Sequence, residues 1–220
     1  MKKILIAGVA VLLLSLTGMA QQPPFYNDIQ RFKQKDSVKF PPAKAILFVG
    51  SSSFTRWTDV QQYFPEFTII NRGFGGSSLP DVIRYAADII FPYDPKQVVI
   101  YCGENDFTAA GGLEPAVVAG RVMKLIALIR CRYPSVPIAY VSMKPSPARA
   151  KNDERMRAAN KMIEQMTKEN GYAAFINVYD AMLDEKTGRV RTDIFVSDSL
   201  HMNSAGYGIW QKVIAPFLMK

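Results

Sequence analysis

The chain has 220 residues, enough for one domain with a single sizeable core. Hydrophobic residues make up 49% and charged residues 21%, which excludes a disordered, collagen-like or disulfide-stapled chain. Basic residues outnumber acidic ones, 27 to 19, but no Lys/Arg block interleaved with aromatics follows the N-terminal segment, so nucleic acid is not an expected partner.

Residues 1–20 read as a secretory signal peptide. Lys2 and Lys3 form a positive n-region, Ile4 to Leu16 an apolar stretch broken only by Ser15, and Gly18 and Ala20 are small residues where a signal peptidase cuts. The competing reading is an uncleaved anchor, but the uncharged run from Ile4 to Ala20 falls short of the ~20 residues a span needs. No cysteine lies nearby to carry a lipid. The expected location is therefore periplasmic or extracellular, with no stable membrane span after cleavage.

Residues 21–43 begin as a Pro/Gln-rich linker and then hold a short helix, Asn27 to Asp36, with Ile29 and Phe32 on one face. From Ala45 onward strand and helix alternate. Five apolar runs predict strands: Ala45–Val49, Phe67–Ile70, Val98–Tyr101, Pro137–Val141 and Ala174–Val178. Between them, Leu79 to Ile90 has a helical pattern. Val118, Val122, Leu125 and Ile129 mark a helix that Pro115 can open. Met156, Ala159, Ile163 and Met166 mark another, which Gly171 can end. Asn203 can cap a last helix bearing Trp210, Val213, Ile214 and Phe217. Alternation of this kind predicts an α/β fold, a five-stranded parallel sheet covered by helices on both faces in three α/β/α layers.

In such sheets the site lies beyond the carboxyl ends of the strands. Four clusters fall there: Gly50–Ser53, Asn71–Ser78, Gly103–Asp106 and Asp198–His201. His201 is the only histidine, so it alone can supply an imidazole base, and Asp198 stands three residues before it, within reach to orient the ring. A capping or surface histidine is the plainer alternative. Ser51, Ser52 and Ser53 follow a buried strand, where one hydroxyl can be exposed as a nucleophile, although turn serines do the same. A backbone N–H at Gly76 and the side-chain amide of Asn105 can hold a developing oxyanion. Gly73-x-Gly75-x-x-Ser78 partly mimics a dinucleotide cradle, but it lacks the third glycine and follows the second strand.

Taken together, the four clusters resemble the blocks of the SGNH, or GDSL-like, esterases and lipases, with Ser52, Gly76, Asn105 and His201 at the four named positions and Asp198 in the Asp-x-x-His block. The resemblance runs from about Ala45 to Phe217. It implies the flavodoxin-like version of the fold over residues 44–220, and a Ser52–His201–Asp198 triad with Gly76 and Asn105 as the oxyanion hole. One departure stands out: the usual Gly-Asp-Ser-Leu reads Gly50-Ser51-Ser52-Ser53, which leaves Ser51 and Ser53 as rivals. The Asn71–Ser78 loop and Lys144–Pro147 also resemble the branch related to platelet-activating-factor acetylhydrolase.

The function expected is hydrolysis of a carboxylic ester with a short acyl group, acetyl on a carbohydrate being favoured. A lysophospholipase or thioesterase acting on longer chains is the competing enzyme. A catalytically dead carbohydrate-binding or flavodoxin-like module is the non-enzymatic alternative. Phe54, Trp57, Phe74 and Phe107 are either an apolar rim or plain core. No cofactor is expected, since one histidine and the scattered Cys102 and Cys131 cannot build a usual zinc site. Both cysteines are expected to be buried free thiols.

Overall fold

A computed structural model of the protein describes residues 22–108 and 112–220; the expected signal peptide lies outside the described residues. Five parallel strands form one sheet in the order β2-β1-β3-β4-β5. They are β1 (Ile46–Gly50), β2 (Ile69–Gly73), β3 (Gln97–Tyr101), β4 (Ile138–Val141) and β5 (Ala174–Ile176). The helices are α1 (Tyr26–Val38), α2 (Ser52–Thr55), α3 (Val60–Tyr63), α4 (Leu79–Arg84), α5 (Ala86–Ile89), α6 (Pro115–Arg132), α7 (Asp153–Asn170) and α8 (Ser204–Ile214). β1, β3 and β4 are buried along their whole length, which is why their sequences are unbroken apolar runs.

Two apolar cores lie on opposite faces of the sheet. One joins Leu47, Val49 and Ile100 to α1, α4, α5, α6 and α7. The other joins Phe48, Val99 and Val141 to Phe54, Trp57, Tyr207 and Trp210. In the second core the Trp57 and Tyr207 rings stack at 4.8 Å, and Trp210 meets Tyr101 edge-on at 4.7 Å. The Tyr207 hydroxyl also donates to the Ser53 carbonyl at 2.8 Å, so this aromatic cluster fastens α8 to the turn that follows β1.

Several elements differ from the sequence-based expectations, each for a local reason. The run from Leu79 to Ile90 is two short helices, because the chain bends at Tyr85. There the ring meets Phe74 edge-on and the hydroxyl donates to the Pro24 carbonyl at 2.7 Å. β2 starts two residues later than its apolar run, since the Phe67 N–H closes a turn onto Phe64. β5 stops at Ile176, beyond which the Val178 and Tyr179 N–H groups turn to the Ser142 hydroxyl. The inner face of α7 continues from Ile163 to Thr167, leaving Met166 outside, and Phe217 lies past the end of α8 and is exposed. Cys102 is a buried free thiol, as expected, but Cys131 is exposed. It sits two residues beyond the buried Ile129 on α6, about 200° round the helix. Pro115, Gly171 and Asn203 open, end and cap their helices as expected. No helix of the described residues is long and apolar enough to cross a membrane.

The strand order places a switch point between β1 and β3, whose connections leave toward opposite edges of the sheet. A crevice opens at the carboxyl ends of strands at such a point.

Candidate active site

Gly50 ends β1 with φ at 144°, and a Cβ there would stand 1.8 Å from the Tyr101 carbonyl oxygen. Only glycine lets the chain pass this close to β3 and turn. Ser51 follows in extended conformation, its N–H bonded to that same carbonyl at 2.9 Å, and Ser52 is the first residue of α2. Of the three serines, Ser51 and Ser53 are buried and Ser52 is half-buried. The Ser52 Oγ lies 3.0 Å from His201 Nε2.

His201 is held in a tight loop in which Phe195 and Met202 form an antiparallel bridge, and the Val196 N–H donates to the His201 carbonyl at 2.8 Å. Its Nδ1 lies 2.6 Å from Asp198 Oδ2. The other oxygen of Asp198 accepts from the backbone N–H groups of Leu200 and His201, both at 2.9 Å. The hydrogen bond from the His201 ring and then these two N–H bonds hold the Asp198 carboxyl well below the usual carboxylate range. An ionised carboxylate only accepts, so Nδ1 carries the ring proton and the Nε2 lone pair faces Ser52.

The remaining two candidates come from the loops after β2 and β3. Gly76 has φ at 83° and lies in the loop whose Gly75 approaches the Ser52 Cβ; among the described residues its N–H has no hydrogen-bond partner. Asn105 Nδ2 donates to the Ser51 hydroxyl at 2.9 Å and to the Ser77 carbonyl at 3.0 Å. Thus Ser52, His201 and Asp198 form one continuous chain of contacts, Asn105 reaches the residue beside the nucleophile candidate, and Gly76 sits in the adjoining loop. The arrangement has a hydroxyl, a base directed at it, an acid fixing the base, and amide donors nearby.

The acidic residues on either side of Asn105 are anchored. Glu104 accepts from the buried Lys144 ammonium at 3.1 Å and from the Tyr101 hydroxyl. Burial, and then the Glu104 charge, push the Tyr101 phenol up, so it stays a neutral donor. Asp106 accepts from Arg121 at 2.7 Å and from the Leu79 N–H at the start of α4 at 2.9 Å. Burial nevertheless raises the Asp106 carboxyl. Neither ion pair is legible in the sequence, because Arg121 lies 15 residues from Asp106 and Lys144 lies 40 from Glu104. Phe25 was also hidden, in a segment that reads as linker. Its ring packs edge-on against Phe74 at 5.3 Å and lies 3.8 Å from where a Gly76 Cβ would be. Phe54, Trp57, Phe74 and Phe107 are all buried core, so they form no rim. Among the described residues no group of three His, Cys, Asp or Glu side chains is placed to hold a metal ion.

The family model for GDSL-like lipases and acylhydrolases matches residues 46–209. Among solved structures the chain is similar to a GDSL-like lipase from Bacteroides thetaiotaomicron, with 21% identity, a TM-score of 0.72, and coverage of 86% of this chain and 96% of that one. It is also similar to a Streptococcus protein described as a platelet activating factor, at 19% identity and a TM-score of 0.75, over 88% and 92% of the two chains. An acetyl-xylooligosaccharide esterase from Geobacillus matches at 14% identity and a TM-score of 0.64, over 83% and 97%. A sequence search among curated proteins matches none of them.

Asp198 carries a prediction of its own. Its depressed pKa means that the Asp198 carboxylate, which accepts from the His201 ring, is fully ionised above the ordinary carboxylate range and is lost only as pH falls through the depressed value. A carbon-13 NMR titration is expected to show the Asp198 carboxyl changing well below the ordinary aspartate range. A midpoint at the ordinary aspartate value would contradict the geometry.

Proposed function

Because the chain belongs to the GDSL-like lipase/acylhydrolase family, and is therefore a hydrolase of ester bonds, we propose that it is an exported serine esterase acting through Ser52, His201 and Asp198. The observation that supports this most is the unbroken run of contacts from Ser52 Oγ through the imidazole to Asp198.

In the proposed reaction, His201 Nε2 takes the Ser52 proton as Oγ attacks the ester carbonyl carbon. Asp198 keeps the imidazole in the tautomer required and stabilises the imidazolium that forms. The Gly76 N–H, the Asn105 amide and the Ser52 N–H stabilise the oxyanion. Collapse of the tetrahedral intermediate breaks the bond to the alcohol, which leaves with the proton from His201. Water, deprotonated by the same nitrogen, then attacks the acyl-serine and releases the carboxylic acid, restoring the Ser52 hydroxyl.

A short acyl group, acetyl on a carbohydrate, fits best. The aromatic residues after the first strands are packed into the core and so line no groove for a long chain. A similar fold in an acetyl-xylooligosaccharide esterase is consistent with that substrate class. Export rests on the pattern of residues 1–20.

Three experiments test these points. Ser52→Ala and His201→Ala are each expected to lower turnover of p-nitrophenyl acetate by about 10⁴-fold or more, and wild-type rates in both would remove the proposal. In a chain-length series of p-nitrophenyl esters, acetate is expected to be the best substrate, whereas a maximum at long acyl chains would favour the lysophospholipase or thioesterase reading. For export, N-terminal sequencing of the protein recovered outside the cytoplasm is expected to start just after Ala20; retention of Met1 in a cell-associated protein would contradict it.

A further inference from the structure

The Asn105 side chain has two N–H donors and one carbonyl oxygen, and all three are engaged. Nδ2 donates to the Ser77 carbonyl and to the Ser51 hydroxyl, and Oδ1 accepts from Arg149 Nη2 at 3.1 Å. A primary amide turned by half a revolution fills almost the same space, so shape alone does not fix which end faces the nucleophile. Its partners do. A guanidinium only donates, and a backbone carbonyl only accepts. The turned amide would set NH₂ against the Arg149 guanidinium and its oxygen against the Ser77 carbonyl, both repulsive.

The two bonds made by Nδ2 are not equivalent. Ser77 offers a fixed carbonyl, itself placed by the Ser77 hydroxyl bonds to Phe74 and Gly50. Ser51 offers a hydroxyl, which can rotate and release the donor. It is adjacent to Ser52. The donor aimed at Ser51 is therefore the one available to a developing oxyanion.

Arg149 is itself held in a defined place. It lies in the 3-10 segment Pro147–Asn152, whose Ala148 N–H donates to the Ser199 carbonyl at 3.1 Å, in the loop that bears Asp198 and His201. Its Nε is buried with no partner among the described residues. A buried donor left unmade is costly, so the guanidinium is not placed there for its own stability.

We propose that Arg149 is a positioning residue of the oxyanion hole: by donating to Asn105 Oδ1 it keeps the amide N–H directed at the nucleophile turn. This rests on the reading in which Ser52 is the nucleophile and Asn105 an oxyanion donor. The guanidinium also places a positive charge behind the amide, where it polarises the N–H toward the substrate. The effect is exerted through Asn105, so it belongs to kcat and vanishes when the amide is absent.

Steady-state kinetics on p-nitrophenyl acetate test this with Arg149→Ala, Asn105→Ala, the double variant and Ser52→Ala as the inactive reference. Arg149→Ala is expected to lower kcat on the order of 10-fold to 100-fold with KM little changed. Arg149→Lys, or guanidinium added to Arg149→Ala, is expected to restore part of it. In the Asn105→Ala background, loss of Arg149 is expected to cost nothing further, since the two act as one unit. If alanine unfolds the chain, Arg149→Gln carries the same comparison, with the melting temperature as the check. Wild-type kcat in the Arg149 variants beside an inactive Ser52→Ala would overturn this inference alone. So would a loss confined to KM, or one that carries over in full to the Asn105→Ala background. An active Ser52→Ala would overturn the function reading and this inference with it.

Discussion

Three strand ends meet at Gly50, and the site depends on how closely they approach there. Its Cα packs against the Tyr101 carbonyl of β3 at a distance no side chain allows. Its own carbonyl accepts from the Phe74 N–H and the Ser77 hydroxyl, both in the loop after β2. One residue thus ties β1 to the elements on either side of it. Ser77 passes the constraint on, since its carbonyl accepts from Asn105 and from the Cys102 thiol. The catalytic candidates are polar groups on turns, but the turns are tied to one another at backbone level.

Charge is used in the same way, for position. Glu104 and Asp106 flank Asn105, and each is tied to a distant cation and to one further donor. Taking such charges out of water is expensive, and their pairing is weak evidence for net stability. Removing one partner, however, leaves a buried charge unmatched. The loop that bears Asn105 therefore has little freedom to shift. Asp198 differs: its side chain is 40% exposed, and its ionisation is favoured by short local hydrogen bonds rather than by a buried cation. In the proposed reaction that suits a group which remains charged while the imidazole beside it gains and loses a proton.

Much of this was legible in the sequence because it is local. Apolar runs and helical spacing give the sheet and its covering helices, with errors at boundaries set by single contacts, such as the bend at Tyr85. Asp198 and His201 lie three residues apart, so their pairing follows from a turn. The candidate nucleophile was harder. Three adjacent serines have equal chemistry in sequence, and only their burial and the direction of the His201 lone pair separate them. The roles of Arg149, Phe25 and Lys144 could not be read, although Lys144 opens the Lys144–Pro147 segment that carries a resemblance. Those roles exist only through partners far along the chain.

The claim on which everything else rests is that Ser52, and neither neighbour, is the activated hydroxyl. Treatment with a fluorophosphonate probe followed by mass spectrometry of the peptide spanning residues 45–56 tests it directly, because the probe forms a bond only with a serine whose proton is being removed. One adduct on Ser52, absent from His201→Ala, is the result predicted. An adduct on Ser51 or Ser53, or no adduct on a folded protein, would contradict it.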